Sequence, residues 1–433
     1  MVFPYREAIA VFLQPRSVGQ KKRLRLSAQS AVTFIKRINV AVSHCMGMSR
    51  EENNMSETSK EVLVFSKEFG RHSYGSSHPM KVERLQLTMD LIDAYGLFDT
   101  SAKPWVEAQK ANEKDVQAVH SVEYLEILQQ ANTGQAPSQA WKFGLGSGDN
   151  PVFAGLYDWS LLVTGATLEC FRQVREKNKQ IAFNIAGGLH HALPGKAAGF
   201  CYINDPAVGI ARMIRDGLRV IYLDIDVHHG DGVEAVFYNT DQVLTISLHQ
   251  HGHTLFPGTG FPDDMGEGSG RGYAVNVPLA PATDDDLYLW AFMEVVPPLV
   301  RAYKPDVLVT QLGVDTLTTD PLAALNLTTN GFIRLVQEIK SWGLKWVALG
   351  GGGYNVMNVA RAWTMAWAVM KGVEVPDDLP ANFVKKHRSR QDRKLTLSDA
   401  PYTTNGAAAD RAQETARSVV ARIKENIFPI AGI

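Results

Sequence analysis

Six short apolar runs constrain this chain more than any other feature. Residues 62–65, 181–185, 220–225, 243–248, 306–312 and 346–349 are rich in aliphatic and β-branched side chains and present no polar face. A strand with one wet face alternates apolar and polar residues, whereas a strand covered on both faces reads as a continuous apolar run. Amphipathic stretches separate the runs at residues 82–95, 115–130, 156–175, 284–302 and 330–342. The first carries Leu85, Met89, Ile92 and Tyr95 at helical spacing and stops at Gly96, a suitable C-cap. This alternation predicts an α/β fold, a mainly parallel sheet with helices on both faces. No Pro/Gly/Ser-rich linker and no internal repeat breaks residues 61–375, so a single domain is expected there. Residues 376–433 read as a more polar C-terminal extension, with basic residues over 385–394 and a last helix near 410–427 that packs on the domain.

The net charge of −1 over 433 residues gives no global reason to expect direct binding to nucleic acid or to a membrane surface. Three cysteines, Cys45, Cys170 and Cys201, are too few and too scattered for a disulfide framework or a thiolate zinc site, which suits a reducing, cytoplasmic setting. The charge is uneven. Residues 1–60 hold ten Lys/Arg against four Asp/Glu, a balance of +6, which leaves −1 − 6 = −7 for the rest. Lys21, Lys22, Arg23 and Arg25 form a basic cluster. A disordered basic tail, an organelle transit peptide and an over-extended start upstream of Met48 or Met55 all fit this composition. Hydrophobic patterning starts only after Met55, so a chain beginning there is expected to keep near-full activity and thermal stability. Loss of the folding transition in a melting curve of that truncated chain would refute this.

The sharpest chemical signal is Leu223-Asp224-Ile225-Asp226-Val227-His228-His229-Gly230-Asp231-Gly232. It continues the apolar run at 220–225, and positions 224, 226 and 228 share one face if the strand continues. A solvated turn would not place two acids inside a buried run, because buried charges need partners. Two carboxylates and an imidazole at a strand end suit a divalent cation, and three protein ligands with one open position define a catalytic zinc site. A ligand from a second strand end is therefore expected, and Asp315, just past the run at 306–312, is the best candidate. In sheets of this kind ligands bind outside the carboxyl ends of the strands.

Two further motifs follow apolar runs. Gly187-Gly188-Leu189-His190-His191-Ala192 offers adjacent imidazoles in a loop that the glycines allow to be irregular. Imidazoles suit acid–base work near neutral pH when carboxylates orient them, and Asp224 and Asp231 are available for that. Leu349-Gly350-Gly351-Gly352-Gly353-Tyr354-Asn355 lacks the Lys-Ser/Thr pair of a phosphate loop. Its glycines instead allow a turn that presses Tyr354 into the site, where a phenol can donate to a developing oxyanion. His249, His251 and His253 read as loop residues, and Trp363 and Trp367, four apart, as helix core.

Together these motifs resemble the histone deacetylase superfamily, which includes class I histone deacetylases, bacterial acetoin-utilisation deacetylases and acetylpolyamine amidohydrolases. The ordered blocks extend from His78-Pro79-Met80 with Arg84, through Gly199-Phe200-Cys201-Tyr202-Ile203-Asn204-Asp205, Phe256-Pro257-Gly258-Thr259-Gly260 and Asn276-Val277-Pro278-Leu279, to the glycine run before Tyr354. The resemblance implies an arginase/deacetylase-like fold. It implies one Zn²⁺ on Asp226, His228 and Asp315, an acid–base pair His190 and His191 supported by Asp224 and Asp231, and Tyr354 polarising the acetyl carbonyl. Phe200 and Phe256 would line a tube for the acyl-lysine stem, with Leu317 also touching substrate and Asp149 holding the substrate backbone at the rim. Potassium would bind through Asp224, Asp226, His228, Ser247 and Leu248, and a second potassium near Phe237, Thr240, Val243 and Tyr273.

The implied reaction is zinc-dependent hydrolysis of N-acetyl-lysine in a protein or peptide to lysine and acetate, with an acetylpolyamine or other small-molecule amide as the alternative substrate. Zinc suits it because an amide is a poor electrophile whose carbonyl a metal can polarise. A non-catalytic acyl-lysine reader and a binuclear manganese hydrolase are the other classes compatible with such motifs. The sequence departs from the family pattern at Val314, in the loop 249–255, whose length is nearer the acetoin-utilisation branch, and at Leu193-Pro194-Gly195-Lys196. These departures affect substrate choice rather than the chemical groups.

Overall fold

The computed structural model describes residues 59–99, 103–146, 148–388, 390 and 395–433. The expectation for residues 1–58 lies outside the described residues. Eight strands form one sheet: β1 (Glu61–Phe65), β2 (Val106–Glu107), β3 (Ile181–Asn184), β4 (Val220–Asp224), β5 (Val243–Gln250), β6 (Ala274–Leu279), β7 (Val307–Gln311) and β8 (Lys345–Leu349). Their spatial order is β2-β1-β3-β8-β7-β4-β5-β6, and every pairing is parallel. β3, β4, β5 and β7 are buried at every position, which is why their sequences show no alternation.

Helices cover both faces. Leu156–Arg175 packs with Asp205–Arg215, while Val356–Lys371 packs with Thr329–Ser341, which in turn meets Asp285–Tyr303. The helix Ala407–Asn426 lies against β6 and Asp285–Tyr303. Residues 59–433 make one compact unit.

One expectation needs correction, and two strands add to the six expected. The stretch 115–130 is not one helix but two, Glu113–Val116 and Val122–Ala131. The break is chemical: the Ser121 side chain accepts from the Tyr124 amide and starts a new helix as its N-cap. β2 and β6 are strands the apolar runs did not reveal. β2 is two residues long, and β6 contains Pro278, which has no amide hydrogen. Among the described residues β6 lies at the sheet edge and pairs only with β5, where a proline is tolerated.

The four strands at the centre of the sheet, β3, β8, β7 and β4, are neighbours in space but far apart in sequence. The loops that follow them carry His190 and His191, Tyr354, Asp315, and Asp226 with His228. Parallel pairing brings all four carboxyl ends to one edge, and that is how distant motifs become one site.

Candidate active site and metal centre

Asp226, His228 and Asp315 converge. One ligand atom from each lies within 4.8 Å of the others, and among the described residues no other group of His, Cys, Asp or Glu does this. His228 Nδ1 is 3.0 Å from Asp226 Oδ1 and 3.2 Å from Asp315 Oδ2. The outward lone pairs are held by the backbone: Val227 N–H donates to Asp315 Oδ1 at 2.9 Å and Gly352 N–H to Asp226 Oδ2 at 2.7 Å. Gln311 adds an amide donor to Asp226 Oδ2 at 2.6 Å.

The electrostatics of this group are those of a cation cradle. Burial opposes a charged His228 ring, but its hydrogen bonds to Asp226 and Asp315 outweigh that and push its pKa up to about 10. Burial, and then the Asp226 charge, raise the Asp315 carboxyl. A proton on Nδ1 thus sits between two carboxylates, where a divalent ion would replace it with release of the proton. Two oxygens and one imidazole nitrogen suit zinc. Glycines make room for it. A Cβ on Gly352 would collide with Asp315 Oδ2 and come within 2.6 Å of Asp226 Oδ2, and one on Gly313 would collide with Asp226.

Beside the cradle, His190 Nδ1 donates to Asp224 Oδ2 at 2.7 Å, and His191 Nδ1 to Asp231 Oδ1 at 2.7 Å. The two Nε2 atoms are 3.0 Å apart, so one of them carries the shared proton. Both rings are buried, which favours neutrality, yet their pKa values diverge. For His190 the Asp224 and Asp226 charges overcome burial and raise it to about 9. For His191 burial and then the His190 charge lower it to about 4. The carboxylates thus favour charge on His190, and burial beside it disfavours charge on His191. The two histidines titrate as a pair.

A cavity of about 210 Å³ opens onto this group and is lined by Asp149, His191, Gly199, Phe200, His228, Leu255, Phe256, Leu322 and Tyr354. The Tyr354 ring stands 5.6 Å from Phe200 and 6.5 Å from His228. Burial, then Asp315 and Asp226, push its phenol well above the ordinary value, so it stays protonated as a donor. Phe256 meets His191 edge-on at 5.0 Å. Phe200 has φ +68°, a left-handed conformation that a bulky residue adopts only when its surroundings impose it. Tyr74 OH donates to its carbonyl at 2.8 Å. Asp149 is exposed at the mouth, with His78 Nε2 3.2 Å from its carbonyl.

Leu317 does not line the cavity. It is 2% exposed and bridges to Leu327 in the core, and the leucines on the wall are Leu255 and Leu322. The reason is Asp320, which accepts from the Leu322 amide at 3.0 Å and from Tyr354 N–H at 2.7 Å, and so turns the segment after Leu317 towards the site.

Of the residues assigned to potassium, Asp224 and Ser247 face each other across the β4–β5 pair. The Leu248 carbonyl accepts from Tyr288 OH at 3.1 Å. In the second group, the Phe237 carbonyl accepts from the Thr240 amide and the Tyr273 carbonyl from the Thr245 amide, while Val243 begins β5.

Three residues that the sequence offered only as members of motif blocks, without a role, support the site. Asp205 is fully buried and accepts from the Gly188 and Leu189 amides at 3.0 and 2.8 Å, which fixes the loop that presents the two histidines. Asn204 donates to the carbonyls of His190 and Ala192 at 3.0 and 2.9 Å. Arg84, also buried, donates to the carbonyls of Gly353 and Gly351 at 2.8 Å each and so sets the turn before Tyr354.

Residues 78–370 match the family model described as the histone deacetylase domain. Histone deacetylase B of Dictyostelium discoideum is 41% identical over 334 residues, covering 76% of this chain and 78% of that protein. Histone deacetylase 1 of Homo sapiens is 37% identical over 372 residues, covering 85% and 74%. The crystal structure of an HDAC homolog from Aquifex aeolicus superposes with a TM-score of 0.76 at 33% identity, covering 83% of this chain and 99% of that one, and a second structure, of an HDAC homolog complexed with SAHA, matches equally.

Proposed function

This chain belongs to the histone deacetylase family, and on that premise we propose that it is a zinc-dependent deacetylase that hydrolyses N-acetyl-lysine side chains of a protein or peptide to free lysine and acetate. The observation that carries the reading is the convergence of Asp226, His228 and Asp315 at a narrow cavity walled by two phenylalanines and a tyrosine. One zinc per chain would be held by those three residues. When bound, it supplies a Lewis acid that polarises the acetyl carbonyl and lowers the pKa of a water.

The chain's own residues would do the rest. Phe200 and Phe256 enclose the methylene stem, which enters once acetylation has removed the lysine charge and its desolvation cost. Asp149 at the rim accepts hydrogen bonds from the substrate backbone. The His190–His191 pair, oriented by Asp224 and Asp231, accepts the water proton and returns a proton to the departing amine. The Tyr354 hydroxyl donates to the carbonyl oxygen as it gains charge. Potassium at Asp224, Asp226, His228, Ser247 and Leu248 would moderate the field of the buried acids, with a second ion near Phe237, Thr240, Val243 and Tyr273.

No described helix is long and apolar enough to cross a membrane. The two described cysteines, Cys170 and Cys201, are buried and unbridged, which suits the cytoplasm as the proposed location. A binuclear site is disfavoured by His229, which turns from the cradle towards Thr259 and Glu234.

Acetate release by the zinc-loaded protein from an acetyl-lysine peptide and from acetylspermidine tests the reading. Higher kcat/KM on the peptide is expected. Preference for acetylspermidine would assign the site to small amines, and no acetate from either would refute the hydrolase.

A further inference from the structure

The wall residue Phe256 sits in the long connection between β5 and β6, and 44% of its surface is exposed. Something must hold that loop against the cavity. Two buried histidines behind the wall meet its far end. His249, fully buried on β5, has Nε2 2.9 Å from the Gly260 carbonyl and Nδ1 2.9 Å from Ser247 Oγ. His229, 2% exposed, has Nδ1 2.9 Å from Thr259 Oγ1 and Nε2 3.2 Å from Glu234 Oε2. Glu234 Oε2 in turn accepts from Asn276 Nδ2 on β6 at 2.6 Å.

The partners fix the protons. A carbonyl and a carboxylate only accept, so each ring carries hydrogen on Nε2, and each Nδ1 accepts from a hydroxyl. The rings lie 4.8 Å apart. Gly260, at φ +81°, rests against both: a Cβ there would come within 2.5 Å of His249 Nε2 and 2.6 Å of His229 Cγ. The loop is therefore both hydrogen-bonded to the histidine pair and moulded to it.

The same short segment carries the metal cradle. His228 precedes His229 directly, and the helix Asp231–Phe237 bears both Asp231, which orients His191, and Glu234, which orients His229. One backbone thus places a metal ligand, the orienter of the base and the anchor of the opposite wall.

Building on the deacetylase reading, we propose that His229 and His249 are positioning residues that latch the Phe256–Gly260 loop through Thr259 and Gly260, and so set the grip of the cavity on the methylene stem of the substrate. The latch touches neither the acetyl group nor the metal. It governs ligands long enough to reach the wall, and leaves short ones that reach only the zinc unaffected.

Thr259 is the place to test this, because it is exposed and its replacement leaves the buried rings intact. The probes are a linear hydroxamate with a six-carbon linker and acetohydroxamate, titrated against the zinc-loaded full chain. T259V removes the hydroxyl at nearly constant shape; losing one neutral hydrogen bond should weaken the long hydroxamate by about threefold to tenfold. Acetohydroxamate affinity and zinc content should not change, and KM for an acetyl-lysine peptide should rise more than kcat falls. T259S, which keeps the donor, should restore wild-type affinity. An unchanged affinity for the long probe in T259V would overturn the latch, and so would equal weakening of both probes. If the wild-type protein binds neither hydroxamate, the zinc deacetylase reading itself fails and the latch falls with it.

Discussion

Alanine at Asp226 or at His228 should leave the chain with only traces of zinc and with no measurable acetate release. A three-ligand site has no spare donor, so either change leaves two groups that cannot retain the ion against dialysis. The fold should survive. Removing Asp226 leaves the Gly352 and Gln311 donors unpaired, which should lower the melting temperature without abolishing the folding transition. G352A should give the same zinc loss with every ligand in place, because its Cβ would collide with Asp315 Oδ2. The pH dependence has a definite sign. Zinc must displace the proton that Asp226 and Asp315 hold on His228, and also any proton on the raised Asp315 carboxyl, so affinity should rise with pH through neutrality. Elemental analysis of the dialysed variants, with a melting curve for each, decides the matter. A full complement of zinc in D226A would show that the ligands have been misassigned.

The residues that carry this expectation were legible in the sequence because they break a rule. Asp224 and Asp226 interrupt an apolar run, Asp315 ends another, and the tandem histidines follow a third, so each is conspicuous where charge is costly. What positions them was less legible. Asp205 and Arg84 serve the site through backbone atoms, Gly188 and Leu189 N–H in one case and the Gly351 and Gly353 carbonyls in the other, and no side-chain pattern announces such a partner. Leu317 and Leu322 are chemically equivalent in sequence; only the turn around Asp320 decides which one faces the cavity. The sheet was readable at its centre, where strands are buried on both faces, and unreadable at its edges, where β2 is two residues long and β6 carries Pro278. The helical stretch 115–130 has the right periodicity but is cut by a capping serine, because a local hydrogen bond outweighed the pattern.

Y354F should reduce kcat by about a hundredfold to a thousandfold while KM changes little, which is the usual effect of removing one donor to an oxyanion. The hydroxyl is the only group lost, and the ring that packs 5.6 Å from Phe200 remains. Its backbone amide still donates to Asp320, so the turn after the four glycines should hold and the melting temperature should stay close to that of the wild type. Zinc should remain bound, since Tyr354 lies beside the cradle and is not part of it. The asymmetry between kcat and KM follows from where the charge appears. An amide carbonyl accepts weakly in the ground state and strongly as the tetrahedral oxygen forms, so the lost donor is missed chiefly in the transition state. The phenol can donate throughout, because burial and the nearby Asp315 and Asp226 keep it protonated well above its ordinary range. No new ionisation of Tyr354 should therefore mark the wild-type pH profile near neutrality, and the Y354F profile should be lower in height but similar in shape. Steady-state kinetics on zinc-loaded Y354F across that range provide the test. A kcat within about twofold of wild type, where loss of an oxyanion donor costs about a hundredfold or more, would return Tyr354 to the role of a packing residue and leave the metal to stabilise the oxyanion alone.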